Sequence, residues 1–144
     1  MTATDVQKRQ KGGAFLMEDT APDTVFSPED FSDELKMIGQ TTRDFCDNEI
    51  IPNIEKLEKL EGTLNEDLLR KLGDIGLLGI EIPEEYGGTD LPKTAAMLVA
   101  EGMAVLGGFS TTYGAHQSIG SLPTVYFGNE AQKAKYLPKL NTAE

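Results

Sequence analysis

In 144 positions the chain holds one cysteine, one histidine, and 13 basic residues against 24 acidic ones. Cys46 alone cannot close an internal disulfide, and with no basic neighbourhood beside Phe45 it reads as a buried, inert thiol. A single histidine excludes ligand sets built on several, among them the paired Glu-x-x-His motifs of di-iron helical bundles. The formal charge of −11 leaves no basic face able to hold a phosphate backbone, which excludes nucleic acid as a partner. No apolar run approaches the roughly 20 residues of a membrane-spanning helix. Behind Lys8, Arg9 and Lys11 the apolar patch at residues 14–17 falls short of a signal-peptide core of about 7 to 15 residues, so the expected location is cytoplasmic.

What remains is an ordinary one-domain composition, 39% hydrophobic and 26% charged. Residues 1–25 mix charge with Gly12, Gly13 and Pro22 without a sustained period and read as a flexible N-terminal extension. At Ser27-Pro28-Glu29-Asp30 a cap residue, a first-turn proline and first-turn acids coincide, which predicts a helix start. Phe31, Leu35, Ile38, Thr42 and Phe45 then recur at steps of four and three, the mark of a helix buried on one side. Pro52 is expected to kink or end it. Thr63 and Asn65 are alternative caps for a helix bearing Leu68, Leu69, Leu72 and Ile75. Residues 77–82 read as a buried connection that Pro83 holds extended at its end.

A further helix follows Pro92, with Ala95, Leu98, Val99, Gly102 and Met103 inward and small residues that predict a crowded, central position. Asn129 and Gln132 have the spacing of a capping box for a last helix. The expected fold is all-α, an antiparallel bundle of about five or six helices over residues 26–144.

Residues 114–127 carry no formal charge if His116 is neutral, so this segment is either deep core or the wall of a pocket. His116 reads as a hydrogen-bonded helix histidine, since no nucleophile stands at a spacing that would use it as a base. Glu84 and Glu85 are neighbours in a turn and diverge into solvent rather than pairing as acid and base. Gly87-Gly88 lacks both the order of a dinucleotide-binding loop and the lysine of a Walker motif. Lys133, Lys135 and Lys139 form a solvated face, and no metal site is expected.

Taken together, Ile82-Pro83-Glu84-Glu85-Tyr86-Gly87-Gly88, the helix after Pro92 and the stretch of residues 114–140 resemble the N-terminal helical domain of acyl-CoA dehydrogenases. Gly12-Gly13-Ala14-Phe15-Leu16 and Gly114-Ala115-His116-Gln117-Ser118-Ile119-Gly120 resemble the long-chain and very-long-chain branch, including its bacterial members. The resemblance implies an FAD-dependent parent enzyme in which the flavin takes a hydride from the β-carbon of a fatty acyl-CoA while a carboxylate removes the α-proton, giving a trans-2-enoyl-CoA. It implies an electron-transfer flavoprotein as acceptor and a homodimer or homotetramer as the assembly.

By the same resemblance no catalytic or flavin-contacting residue lies in this chain. Those belong to middle β and C-terminal α domains beyond Glu144, and the 144 residues alone are expected to bind no FAD and to be inactive. What the helical domain would contribute is part of the wall around the acyl tail, through Thr111, Thr112, Gly114, Ala115 and Ile119. Ala115 stands where a medium-chain member carries a larger acidic residue, which implies a deeper tunnel here. The competing expectation is a non-catalytic helical module for protein interaction or lipid-tail binding, and small residues at these positions would then serve tight helix packing.

Overall fold

A computed structural model describes residue 10 and residues 12–144, and the chain divides into two compact units, Met1–Glu34 and Leu35–Glu144. The part of the expected N-terminal extension that includes Lys8, Arg9 and Lys11 lies outside the described residues. In the first unit the backbone runs through 3-10 turns at Ala14–Leu16, Pro22–Thr24 and Pro28–Asp30. The cap signals at Ser27 act on the last of these. The Asp30 carboxylate accepts from the Ser27 N–H at 3.0 Å, and Phe31 leaves the turn with ψ at 130°, so the cap closes a three-residue turn. The α-helix itself, α1, begins later and spans Asp33–Phe45.

Among the described residues there is no strand, and five α-helices have eight residues or more, as an all-α fold requires. Helix α1 buries Gly39, Thr42 and Phe45, while Leu35 and Ile38 pack half-buried on the core. Pro52 has no N–H to offer the helical ladder, so the chain cannot pass it unchanged. It passes through a π-turn at Cys46–Ile50 and a 3-10 turn at Ile51–Asn53 before α2, Ile54–Glu58. Side-chain amides serve the carbonyls there: Asn48 donates to Asp44 at 2.7 Å and Asn53 to Glu49 at 2.9 Å. Cys46 is 1% exposed, its Sγ lying 3.4 Å from the Gly102 carbonyl, and burial ahead of the nearby Asp47 charge pushes its thiol up.

Thr63 stands at the N-cap position of α3, Leu64–Asp74, but neither it nor Asn65 caps the helix with its side chain: the Thr63 hydroxyl instead donates to the Asp67 carboxylate at 2.9 Å. Leu68 and Leu72 turn inward from this helix. Leu77, Leu78, Ile80 and Ile82 are each at most 4% exposed, so residues 77–82 form a buried connection. A buried connection must pair its peptide groups. Here the carbonyls of Gly79, Ile80 and Ile82 accept from the N–H groups of Thr89, Leu91 and Asp90 at 2.7–3.0 Å.

Helix α4, Lys93–Met103, buries Ala95, Ala96, Val99 and Met103 and occupies the predicted crowded position. At Gly102 a Cβ would come within 2.6 Å of Thr42 Cγ2, so the glycine lets α4 and α1 approach closely. Helix α5, Gly107–Gly114, runs on into a second π-turn at Ala115–Gly120 and then α6, Leu122–Phe127. Helix α7, Glu130–Thr142, starts with the predicted capping box, in which Asn129 Oδ1 accepts from Gln132 N–H and Gln132 Oε1 from Asn129 N–H, both at 2.9 Å.

Candidate functional site

The uncharged segment expected as core or pocket wall serves as both, on different faces of α5 and its π-turn. Phe109, Tyr113 and Gln117 are buried. The Tyr113 hydroxyl donates to the Leu77 carbonyl at 2.9 Å, which anchors α5 to the buried connection, and burial together with the nearby Glu81 charge raises the phenol above its ordinary range. Tyr113, Gly114, Gln117 and Ser118 form one wall of a groove of about 330 Å³. Ala96, Met97, Ala100 and Met103 of α4 form the other wall, and Glu81 and Lys93 close its polar end.

Glu81 interrupts a run of buried aliphatic residues, and its side chain is 8% exposed. A carboxylate so placed needs partners. Lys93 supplies a salt bridge to Oε1, and the Gln117 amide donates to Oε2 at 2.9 Å. The adjacent pair Glu84 and Glu85 stands out in the sequence, whereas the acid buried at the groove is Glu81. The available signal was a lone acid between Ile80 and Ile82, though nothing local announces partners 12 and 36 residues away.

Of the five residues expected to touch an acyl tail, Gly114 lines this groove, and Thr112 lines a smaller cavity of about 70 Å³ together with Leu57, Leu60 and Leu106. Thr111, Ala115 and Ile119 line neither cavity. They recur at steps of four along α5 and the π-turn, and all three are exposed, Ile119 by 76%. The hydroxyls beside them are already satisfied: Thr111 donates to the Gly107 carbonyl at 2.8 Å and Thr112 to Gly108 at 3.3 Å. The stripe therefore asks for no polar partner, although it lies on the surface of a strongly acidic chain.

His116 and Gln117 face away from that stripe. A carbonyl only accepts, so the 2.7 Å contact between His116 Nε2 and the Leu140 carbonyl places the proton on Nε2. Glu84 and Glu85 lie on a 3-10 turn, Glu84–Tyr86, and both are exposed. The Tyr86 hydroxyl ending that turn donates to Glu130 Oε2 at 2.7 Å, which pushes the phenol up to about 12. Whatever stability this contact adds is complete below the ordinary phenol range near 10 and fades as pH rises from there through about 12.

Neither cavity suits a flavin dinucleotide. A pyrophosphate takes backbone N–H groups at a glycine-rich helix start or free cations. The groove instead presents a carboxylate and a lysine already paired with it. Among the described residues no group of three or more His, Cys, Asp or Glu is placed to hold a metal ion, and no helix is long and apolar enough to cross a membrane.

Residues 32–144 match the family model described as acyl-CoA dehydrogenase, N-terminal domain. The chain is 49% identical over 142 residues to a Bacillus subtilis protein named "Probable acyl-CoA dehydrogenase", covering 99% of this chain and 23% of that one. A crystal structure of an acyl-CoA dehydrogenase complexed with FAD from Bacillus anthracis superimposes with a TM-score of 0.87 at 53% identity, over 93% of this chain and 23% of that one. More distant relatives bear names with different acyl groups. The very long-chain specific enzyme of Rattus norvegicus is 38% identical over 111 residues (76% of this chain, 16% of that protein), and isovaleryl-CoA dehydrogenase of Pongo abelii is 35% identical over 115 (78% and 27%). The chain thus spans about a quarter of the length of the two Bacillus proteins, and it belongs to the acyl-CoA dehydrogenase family through that family's N-terminal domain.

Proposed function

We propose that residues 26–144 act as the helical domain of an FAD-dependent acyl-CoA dehydrogenase that introduces an α,β double bond into long-chain fatty acyl-CoA, and that residues 1–25 are an extension to it. The observation that carries this reading is the Thr111–Ala115–Ile119 stripe, an exposed and uncharged helical face whose neighbouring hydroxyls are all internally bonded. An acyl tail needs a wall of this kind, apolar and without unsatisfied donors. At Ala115 the small side chain leaves length to the tunnel, and each methylene buried there is worth up to about 0.8 kcal/mol. The groove itself, with Glu81 and Lys93 paired at its polar end, offers no anchor to a flavin pyrophosphate. The domain's contribution is to bind and orient the tail and to keep water from it, while flavin and catalytic carboxylate are carried elsewhere in the enzyme. Electrons leave to an electron-transfer flavoprotein, and the enzyme works in the cytoplasm as a homodimer or homotetramer.

The experiment is a substrate panel on the flavin-loaded enzyme that carries this domain, with acyl-CoA thioesters from isovaleryl to palmitoyl and an electron-transfer flavoprotein as acceptor. The expected result is formation of the trans-2-enoyl-CoA with kcat/KM rising toward the long chains. Turnover confined to isovaleryl-CoA would contradict the long-chain reading. Absence of dehydrogenation throughout, with tight retention of a fatty acyl ligand, would favour a lipid-tail-binding module instead.

A further inference from the structure

We propose that the hydrogen bond between Gln117 and Glu81 positions the acyl-tail wall, by holding the register of the π-turn on which Ala115 and Ile119 stand; the inference rests on the function proposed above. A π-turn accommodates one residue more than an α-turn, and such single turns tend to sit at functional sites. It persists only if the surrounding contacts favour it over a regular helix. Here the loosened carbonyls are taken up by side chains within the segment, Gly114 by the Ser118 hydroxyl and His116 by Ser121 Oγ at 2.8 Å.

Two adjacent residues then tie the turn to its surroundings. His116 donates to the Leu140 carbonyl of α7, and Gln117, 6% exposed, donates to Glu81 in the buried connection. Glu81 is in turn held by Lys93 at the start of α4, so three separate elements converge on one carboxylate. Ala115 and Ile119, on the exposed side, have no comparable tie and take their direction from these anchors. Relaxation to a regular α-helix would advance the following side chains by one position, a rotation of about 100°. Ile119 would keep to the same broad face but turn through that angle relative to Ala115, changing the surface the two residues present together.

Gln117 and Glu81 are thus positioning residues, and no contact of either with the substrate is needed. The test compares Gln117→Leu, which removes the amide, with Glu81→Gln, which keeps an oxygen to accept from it, in the flavin-loaded enzyme. Octanoyl-CoA and palmitoyl-CoA serve as substrates. In Gln117→Leu the palmitoyl-to-octanoyl ratio of kcat/KM is expected to fall at least about fivefold, carried by KM for the long chain, while Glu81→Gln stays within about twofold of the parent ratio. Hydrogen exchange should quicken at the amides of residues 115–121 in the leucine variant and not in Glu81→Gln. If Gln117→Leu does not fold, Gln117→Met is held to the same two readouts.

Ala115→Glu, measured alongside, separates the two levels. A shifted chain-length profile in Ala115→Glu with unchanged ratio and exchange in the Gln117 variant overturns the positioning role and leaves the tunnel wall standing. An unchanged profile in Ala115→Glu overturns the tunnel wall and the positioning role with it.

Discussion

Gly88→Ala is expected to lower stability by about 3 kcal/mol, the upper end of the range for overpacking a filled site. A Cβ at Gly88 would overlap the carbonyl of Ile82, and the atoms it meets next are the carbonyl carbon and Cβ of the same residue. Most of that obstacle is backbone, so no side-chain rotation relieves it. The Ile82 carbonyl also accepts from Asp90 at 3.0 Å, and displacing it would unpair a buried connection. Gly107→Ala is the internal control. Nothing stands within 4 Å of a Cβ there, so the change should be neutral or stabilising by up to about 1 kcal/mol. Urea unfolding of both variants against the parent chain checks the pair. Equal midpoints for Gly88→Ala and the parent would mean that residues 82 and 88 are not in contact in solution.

The second large effect is expected at Ala115. A glutamate there would put a carboxylate, with its desolvation cost, into the path assigned to the acyl tail. In the flavin-loaded enzyme kcat/KM for palmitoyl-CoA should fall at least about tenfold relative to octanoyl-CoA, equivalent to about 1.4 kcal/mol and less than two buried methylenes. The domain itself should fold normally, since Ala115 is exposed and a charged side chain there displaces nothing. That combination separates a tunnel wall from a packing site: a residue needed for helix packing would lose stability, while a residue facing substrate loses long-chain activity alone. Steady-state kinetics with the two thioesters, together with a thermal melt, decide between them.

Much of the helical architecture follows from local rules. The Asn129 and Gln132 box, the small inner face of α4 and the inert Cys46 are each explained by neighbours within one or two turns or by the apolar period. The departures arise where that period is interrupted. Both π-turns insert a residue into a pattern that a 3.6-residue repeat cannot register, and the Ser27 signals were spent on a 3-10 turn because Asp30, three residues on, could close it. The candidate face was legible in part. Its lack of charge was visible from residue 114 onward, but which side of the helix is buried depends on Tyr113 reaching Leu77 and Gln117 reaching Glu81, each across 36 residues. Contacts at that separation leave no periodic trace, and Glu81 shows itself only as an acid out of place.

The central claim is that the Thr111–Ala115–Ile119 face meets the acyl tail. It is tested most directly by irradiating the flavin-loaded enzyme with a palmitoyl-CoA analogue carrying a diazirine near its ω end, then mapping the adducts by mass spectrometry. Labelling on Thr111, Ala115 or Ile119, abolished by excess palmitoyl-CoA and reduced in Ala115→Glu, is the predicted result. Competable labelling on Met97, Ala100 or Met103 of α4, with none on residues 111, 115 or 119, would contradict it by placing the tail in the groove behind that face.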